Sequence, residues 1–344
     1  MKTFVCGSCG NTVYFENVNC MKCGSPLGFQ PGRLEMATLV PLDGKVYRDM
    51  KRGGGRVRYC ANHGHGVCNW LVPDTAQDDF CTACSLNRTI PDLSDPQNLL
   101  AWGDFERAKK RLVYSLLRFG LPLDGSAVGK EPLTIDFKDD AMTGHFDGVI
   151  TIAVGEADSV ERERQRKAMA ETYRSLLGHL RHESGHYYWM LLVENSDKIE
   201  RFRELFGDER EDYGAALERH HSQGPPPDWS LRYVSAYASA HPWEDWAETW
   251  AHYLHMIDAL DTAAVHRIAP RAGRGVWPIK TYDYYRAERF ENLIERWTPL
   301  TLALNDINRS MGHGDFYPFV IPEPAIDKLQ YVHRLIRQAG AKQL

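Results

Sequence analysis

All eight cysteines of this 344-residue chain fall before residue 85, and the first four form two Cys-x-x-Cys pairs, Cys6/Cys9 and Cys20/Cys23. Such a pair turns two thiolates toward one point, and two pairs close a tetrahedral site for a structural zinc ion. Between them, "GNTVYFENVN" mixes apolar and turn residues as a small hairpin does. The other four are Cys60, Cys68, Cys81 and Cys84, of which only the second pair has the tight spacing; His63 or His65 could replace Cys60 or Cys68. Using all eight thiols leaves none over, so a second structural zinc is expected. Metal binding then supplies much of the folding free energy of residues 1–90, which need little apolar core of their own. The stretch "DMKRGGGRVRY", Asp49 to Tyr59, reads as a solvated hairpin tip in preference to a nucleic-acid contact.

Zinc thiolates in place of disulfides suit a reducing compartment. The first residues contain no apolar signal segment, and no apolar run is long enough to span a bilayer, so a cytoplasmic protein without membrane contact is expected. With 43% hydrophobic and 25% charged residues and a net charge of -5, the composition is that of a folded globular chain and argues against a general nucleic-acid binder.

Past residue 90 the text changes. Leu99, Trp102, Phe105, Ala108, Leu112 and Leu116 recur at helical spacing until Gly120 stops the run, giving a scaffold helix for the larger domain. "LTIDF" and Gly144–Val154 read as two strands of a small sheet, the second of which could pair with an extended substrate. A helix is then expected from Asp158, with Glu161 completing a box-like cap, to about Glu194. It carries His182, Glu183 and His186 in the pattern His-Glu-x-x-His. At about 100° per residue the two histidines lie about 40° apart on one face and can share an ion. Glu183 stands beside them, where a carboxylate can take a proton from a water activated by that ion.

Two histidines need a third protein ligand. "YASAHPWEDWAETWAHYLH", Tyr237 to His255, opens a helix at Pro242 and offers Glu244 and Glu248 one turn apart on one face, with Asp245 beside them. His179, His241, His252 and His255 read as packing or capping residues. In the C-terminal part, Arg309, His313 and His333 are candidates for lining a cleft.

His-Glu-x-x-His on one helix and Glu-x-x-x-Glu on a second about 60 residues later resembles the gluzincin metallopeptidases, thermolysin among them. "CGSC…CMKC" joined to "RHESGHYYW" and "HPWEDWAETWAHYLH" looks more closely like the bacterial zinc-binding metallopeptidases with an N-terminal zinc ribbon, a likeness that covers essentially the whole chain. The resemblance implies His182, His186 and Glu244 as ligands of a catalytic zinc and Glu183 as general base. Glu248, an aspartate in thermolysin-like enzymes, would orient a ligand histidine, with Asp245 and Glu248 as fallback ligands. Tyr237, seven residues before Glu244, resembles the tyrosine that some gluzincins aim at the tetrahedral intermediate.

The expectation is therefore an α+β chain: a double-zinc ribbon over residues 1–90, then a mainly helical gluzincin-like domain with a small sheet over 91–344. One catalytic and two structural zinc ions would serve hydrolysis of peptide or protein amide bonds, with the ribbon open to a protein partner. The rivals are an amidase for a small amide and a binding protein with a silent metal site.

Overall fold

The computed structural model describes residues 2–51, 53–139, 141–168, 174–268 and 282–341. The chain is α+β and divides into two compact units. One comprises residues 1–118, 134–143 and 151–158, the other 119–133, 144–150 and 159–344.

The first unit opens on an antiparallel pair, β1 (Phe4–Val5) and β2 (Thr12–Val13), with Phe4 opposite Val13. Each Cys-x-x-Cys turn ends in a glycine with positive φ, Gly10 at 73° and Gly24 at 72°. Those glycines donate to the carbonyls of Cys6 and Cys20 at 2.9 and 2.8 Å, which closes both turns. The five strands β3 (Leu27–Gln30), β4 (Glu35–Pro41), β5 (Val46–Asp49), β6 (Arg56–Tyr59) and β7 (Leu71–Pro73) follow as one antiparallel sheet in chain order. The glycine run lies at the tip between β5 and β6. Its basic neighbours are paired: Lys51 with Glu35, Arg56 with Asp74 and Arg58 with Asp79, at 2.5 to 2.9 Å.

Residues 1–90 hold more core than two metal sites require. Phe15, Phe29 and Trp70 are buried and meet edge-on or tilted at 4.8 to 6.1 Å between ring centres, with Tyr114 against Phe15 at 5.4 Å. Aromatic side chains bury enough area for a short sheet to be stable beside its metal.

Strand β8 (Asn87–Thr89) pairs in parallel with β9 (Thr134–Lys138), and α1 (Pro96–Phe119) runs between them in sequence, ended by Gly120 at φ 70°. Expected as scaffold for the larger domain, α1 carries Tyr114 into the aromatic cluster. It also lays a buried charged stripe, Glu106, Lys109 and Lys110, beside the second cysteine cluster. Glu106 Oε2 lies 3.6 Å from Cys84 Sγ and its Oε1 2.5 Å from Lys109 Nζ, and Lys110 reaches the Val67 carbonyl.

The segment read as one strand from Gly144 to Val154 is a hairpin, β10 (Gly144–Phe146) and β11 (Val149–Ala153). Asp147 and Gly148 between them both take positive φ, 43° and 83°, the backbone that a two-residue turn between twisted strands demands. The expected single helix from Asp158 to Glu194 is two: α2 (Ser159–Ala168) and α3 (Leu176–Leu192). Residues 169–173 of that expectation lie outside the described residues. Ser175 starts α3 afresh, its side chain accepting from Gly178 N at 3.0 Å.

Further on come α4 (Ile199–Phe206), α5 (Tyr213–Gln223), α6 (Pro242–Val265), α7 (Glu291–Ser310) and α8 (Glu323–Ala341). Helices α3 and α6 form the centre of the second unit. A Cβ placed on Gly185 would come within 2.9 Å of Ala247 Cα and 3.2 Å of the Trp250 side chain, so only glycine lets the two helices approach this closely. Trp246 Nε1 donates to the Gly185 carbonyl at 2.7 Å and Trp250 Nε1 to Ser184 Oγ at 3.2 Å, which also fixes their rotation. Among the described residues no helix is long and apolar enough to cross a membrane.

Candidate metal centre

Two groups of four cysteines converge in the first unit, Cys6, Cys9, Cys20 and Cys23, and Cys60, Cys68, Cys81 and Cys84. Sulfur separations of 3.7 Å (Cys6–Cys23), 3.6 Å (Cys9–Cys20) and 3.7 Å (Cys68–Cys81) match the edge of about 3.8 Å that four Zn–S bonds of about 2.3 Å give in a tetrahedron. The histidine alternatives for the second site fall away: His63 stacks on Tyr59 at 3.9 Å with Nδ1 on the Cys68 carbonyl at 2.8 Å, and His65 lies against Trp102. The ribbon thus carries two sites of four cysteines each.

In the second unit, α3 presents His182 and His186 while α6 presents Glu244, and their ligand atoms all lie within 4.8 Å of one another. His182 Nε2 is 2.9 Å from Glu244 Oε2, and His186 Nε2 is 3.7 Å from Glu244 Oε1. Glu248, one turn along α6, faces the other ring nitrogen of His182 at 2.8 Å and takes a hydrogen bond from Ser235 Oγ at 2.6 Å. Asp245, about 100° round α6 from Glu244, instead meets Lys328 of α8 at 2.6 Å, so it is turned away from the histidines.

The electrostatics ask for a cation. Burial opposes charge on His182, but Glu244 and Glu248 on its two nitrogens outweigh it and hold its pKa well above the usual histidine range. Burial pushes His186 down to about 3. Glu244, in spite of burial, is held down at about 2 by His186, His182 and Tyr213; Glu248 is likewise held at about 2 by His182 and Ser235. The buried Glu244 and the half-buried Glu248 thus face one charged imidazole, a net negative cluster. Glu183 Oε2 and His186 Nδ1 are buried with no hydrogen-bond partner, and Glu244 Oε2 pairs with the His182 ring. A divalent ion between His182, His186 and Glu244 would balance the charge and take the place of the proton between His182 Nε2 and Glu244 Oε2, so these residues fit a zinc ion.

Glu183 sits next to His182 on α3, and its burial raises its pKa to about 7. Tyr237 lies in a short helical turn with its ring 6.0 Å from that of His182. Two further neighbours have no role that the sequence assigns. Trp243 lies over His186 at 4.0 Å between ring centres, and Tyr213, from the charged excursion between α3 and α6, donates to Glu244 Oε1 at 2.6 Å. A tyrosine preceded by Asp212, a helix-capping residue, was the sole hint of the second.

His241, His252 and His255 have capping or packing partners. His241 caps α6 by accepting from Trp243 N at 3.1 Å, His252 meets the Tyr317 hydroxyl at 2.7 Å, and His255 meets Arg181. None of the three C-terminal candidates joins the centre. Arg309 pairs with Asp315 at 2.6 Å, His313 is exposed, and His333 bonds the buried Tyr253 hydroxyl at 2.8 Å.

Residues 3–95 match a zinc-ribbon domain. Two uncharacterized mycobacterial proteins, Mb2598c of Mycobacterium bovis and Rv2568c of Mycobacterium tuberculosis H37Rv, are each 42% identical to this chain over 348 aligned positions, covering 99% of it and 96% of the relative. No solved structure matches. Residues 98–335, which include the whole His182, His186 and Glu244 centre, match the profile described as "Putative zinc-binding metallo-peptidase", and the chain belongs to that family.

Proposed function

We propose that the chain is a gluzincin-like zinc hydrolase that cleaves peptide bonds, with His182, His186 and Glu244 as ligands and Glu183 as general base. The observation that carries this reading is the state of Glu183: next to the ligand set, buried, with Oε2 unpartnered. A purely structural site has no use for a carboxylate left unspent at such desolvation cost. When bound, zinc supplies Lewis-acid polarisation of the scissile carbonyl and eases deprotonation of water.

Glu183, with its pKa near neutrality before a cation lowers it, accepts the proton of the attacking water and passes it to the leaving amine. Tyr237, kept protonated by burial, donates to the carbonyl oxygen as charge develops there. Strand β10 ends its sheet, and its His145 ring lies 6.1 Å from that of His186, so an extended peptide adding to this edge would run past the centre. Eight free thiols in two metal sites suit the cytoplasm.

The test is a peptide-library cleavage screen with and without chelator, on wild type and on Glu183→Gln. Zinc-dependent cleavage abolished by that substitution supports the reading. Cleavage confined to small amides would make the protein an amidase, and no zinc-dependent turnover on any amide would reject hydrolysis.

A further inference from the structure

The two oxygens of Glu244 are in different situations. Oε1 accepts the Tyr213 hydroxyl at 2.6 Å and lies 3.7 Å from His186 Nε2, whereas Oε2 is bonded to no hydroxyl and pairs with His182 Nε2 at 2.9 Å. Tyr213 is firmly placed to do this. It is the first residue of α5, whose cap Asp212 accepts from Ala215 N at 2.9 Å, and its ring meets the edges of His241 and Trp243 at 5.3 and 5.7 Å. His241 Nε2 in turn donates to the Glu211 carbonyl at 3.1 Å, and Arg203 holds Glu209 at 2.6 Å, so the approach to α5 is tied to α4 and to the start of α6.

A carboxylate can give a metal one oxygen or two. A phenol bonded to one oxygen takes one of its lone pairs and draws on its charge, which makes that oxygen the weaker donor for a second metal bond. We propose that Tyr213 is a positioning residue that holds Glu244 to ligation through one oxygen and so keeps a coordination position open for water. This rests on the reading of His182, His186 and Glu244 as a catalytic zinc site. An open position separates a catalytic from a closed structural site, so Tyr213 would help set which kind this centre is.

Cobalt(II) tests the idea, because its visible d–d bands weaken as coordination number rises. The full-length protein is stripped of the chelator-labile ion, with both thiolate sites left zinc-loaded, and is then titrated with Co2+. Wild type should give the strong bands of a low-coordinate site, absent in His182→Ala. At saturation Tyr213→Phe should lose band intensity as Glu244 takes up both-oxygen ligation. A Tyr213→Phe spectrum identical to wild type overturns the proposal while leaving the metal site intact. If wild type binds no Co2+ in a His182-dependent way, the site reading itself fails. Should Tyr213→Phe not fold, Asp212→Ala, which loosens the helix end carrying Tyr213, is read in the same way.

Discussion

Glu248 Oε1 lies 2.8 Å from Nδ1 of His182, while Nε2 of the same ring faces Glu244. A glutamate therefore reaches the position that the resemblance gives to an aspartate, with Ser235 holding its other oxygen at 2.6 Å. A carboxylate on Nδ1 fixes which nitrogen is left for a metal and raises its basicity.

Removing that carboxylate should loosen the metal. Glu248→Ala is expected to lower zinc affinity by about 10- to 100-fold with the fold retained, since the partner of a ligand histidine has typically that worth. Competition with a chromogenic chelator measures it, and unchanged affinity would contradict an orienting role.

Glu183 and Glu244 should separate cleanly. Glu183→Gln keeps zinc but loses about 10²- to 10⁴-fold in turnover, because an amide cannot accept the water's proton. Glu244→Gln exchanges an anionic ligand for a neutral one and should lose the metal. Metal content and activity, read on the same samples, decide; full zinc and full activity in Glu244→Gln would refute its assignment.

The three groups of potential ligands among the described residues predict three zinc ions per chain. On graded chelation the His182, His186, Glu244 ion should leave first, having fewer protein ligands than either thiolate site. Elemental analysis along the titration checks both points, and a stable content of two that His182→Ala does not lower would remove the catalytic ion.

Lys109 and Lys110 lie buried with Glu106 beside four thiolates whose zinc complex carries net negative charge. Lys110→Met should let the second structural zinc go about 10-fold more readily. It should also destabilise the protein by about 1–3 kcal/mol, since the Val67 carbonyl loses its donor while Glu106 keeps Lys109 as counter-charge. Zinc release and thermal unfolding report the two effects, and wild-type values in both would make the lysine incidental.

Gly185→Ala should cost about 1–3 kcal/mol by forcing a methyl against the α6 backbone. Because His186 is the next residue, metal affinity should fall along with the melting temperature. A variant that melts like wild type would show that α3 and α6 can part without cost.

Features governed by local geometry were legible in the sequence. Cys-x-x-Cys followed by glycine makes its own turn, and a four-residue spacing puts His182 and His186 on one face of any helix. The strand and helix boundaries were less so: the Asp147–Gly148 turn and the Ser175 cap each divide a segment that apolar periodicity reads as continuous. The five-stranded sheet of the ribbon escaped although each strand pairs with its neighbour in the chain, because β3 and β4 are buried on consecutive residues and so lack the alternation that marks a half-buried strand. Which acidic residue of α6 meets the histidines depends on the rotation of that helix against α3. Gly185, Trp246 and Trp250 set that rotation, so Glu244 turns inward, Glu248 backs His182 and Asp245 goes to Lys328. Tyr213 reaches Glu244 from 31 positions away in the chain, a contact that exists only once α5 has folded back against the start of α6. The sequence alone thus determined the donors and their local spacing, whereas the tertiary structure decided which acidic group joins them and what holds its second oxygen, because those contacts depend on helix rotation and chain return.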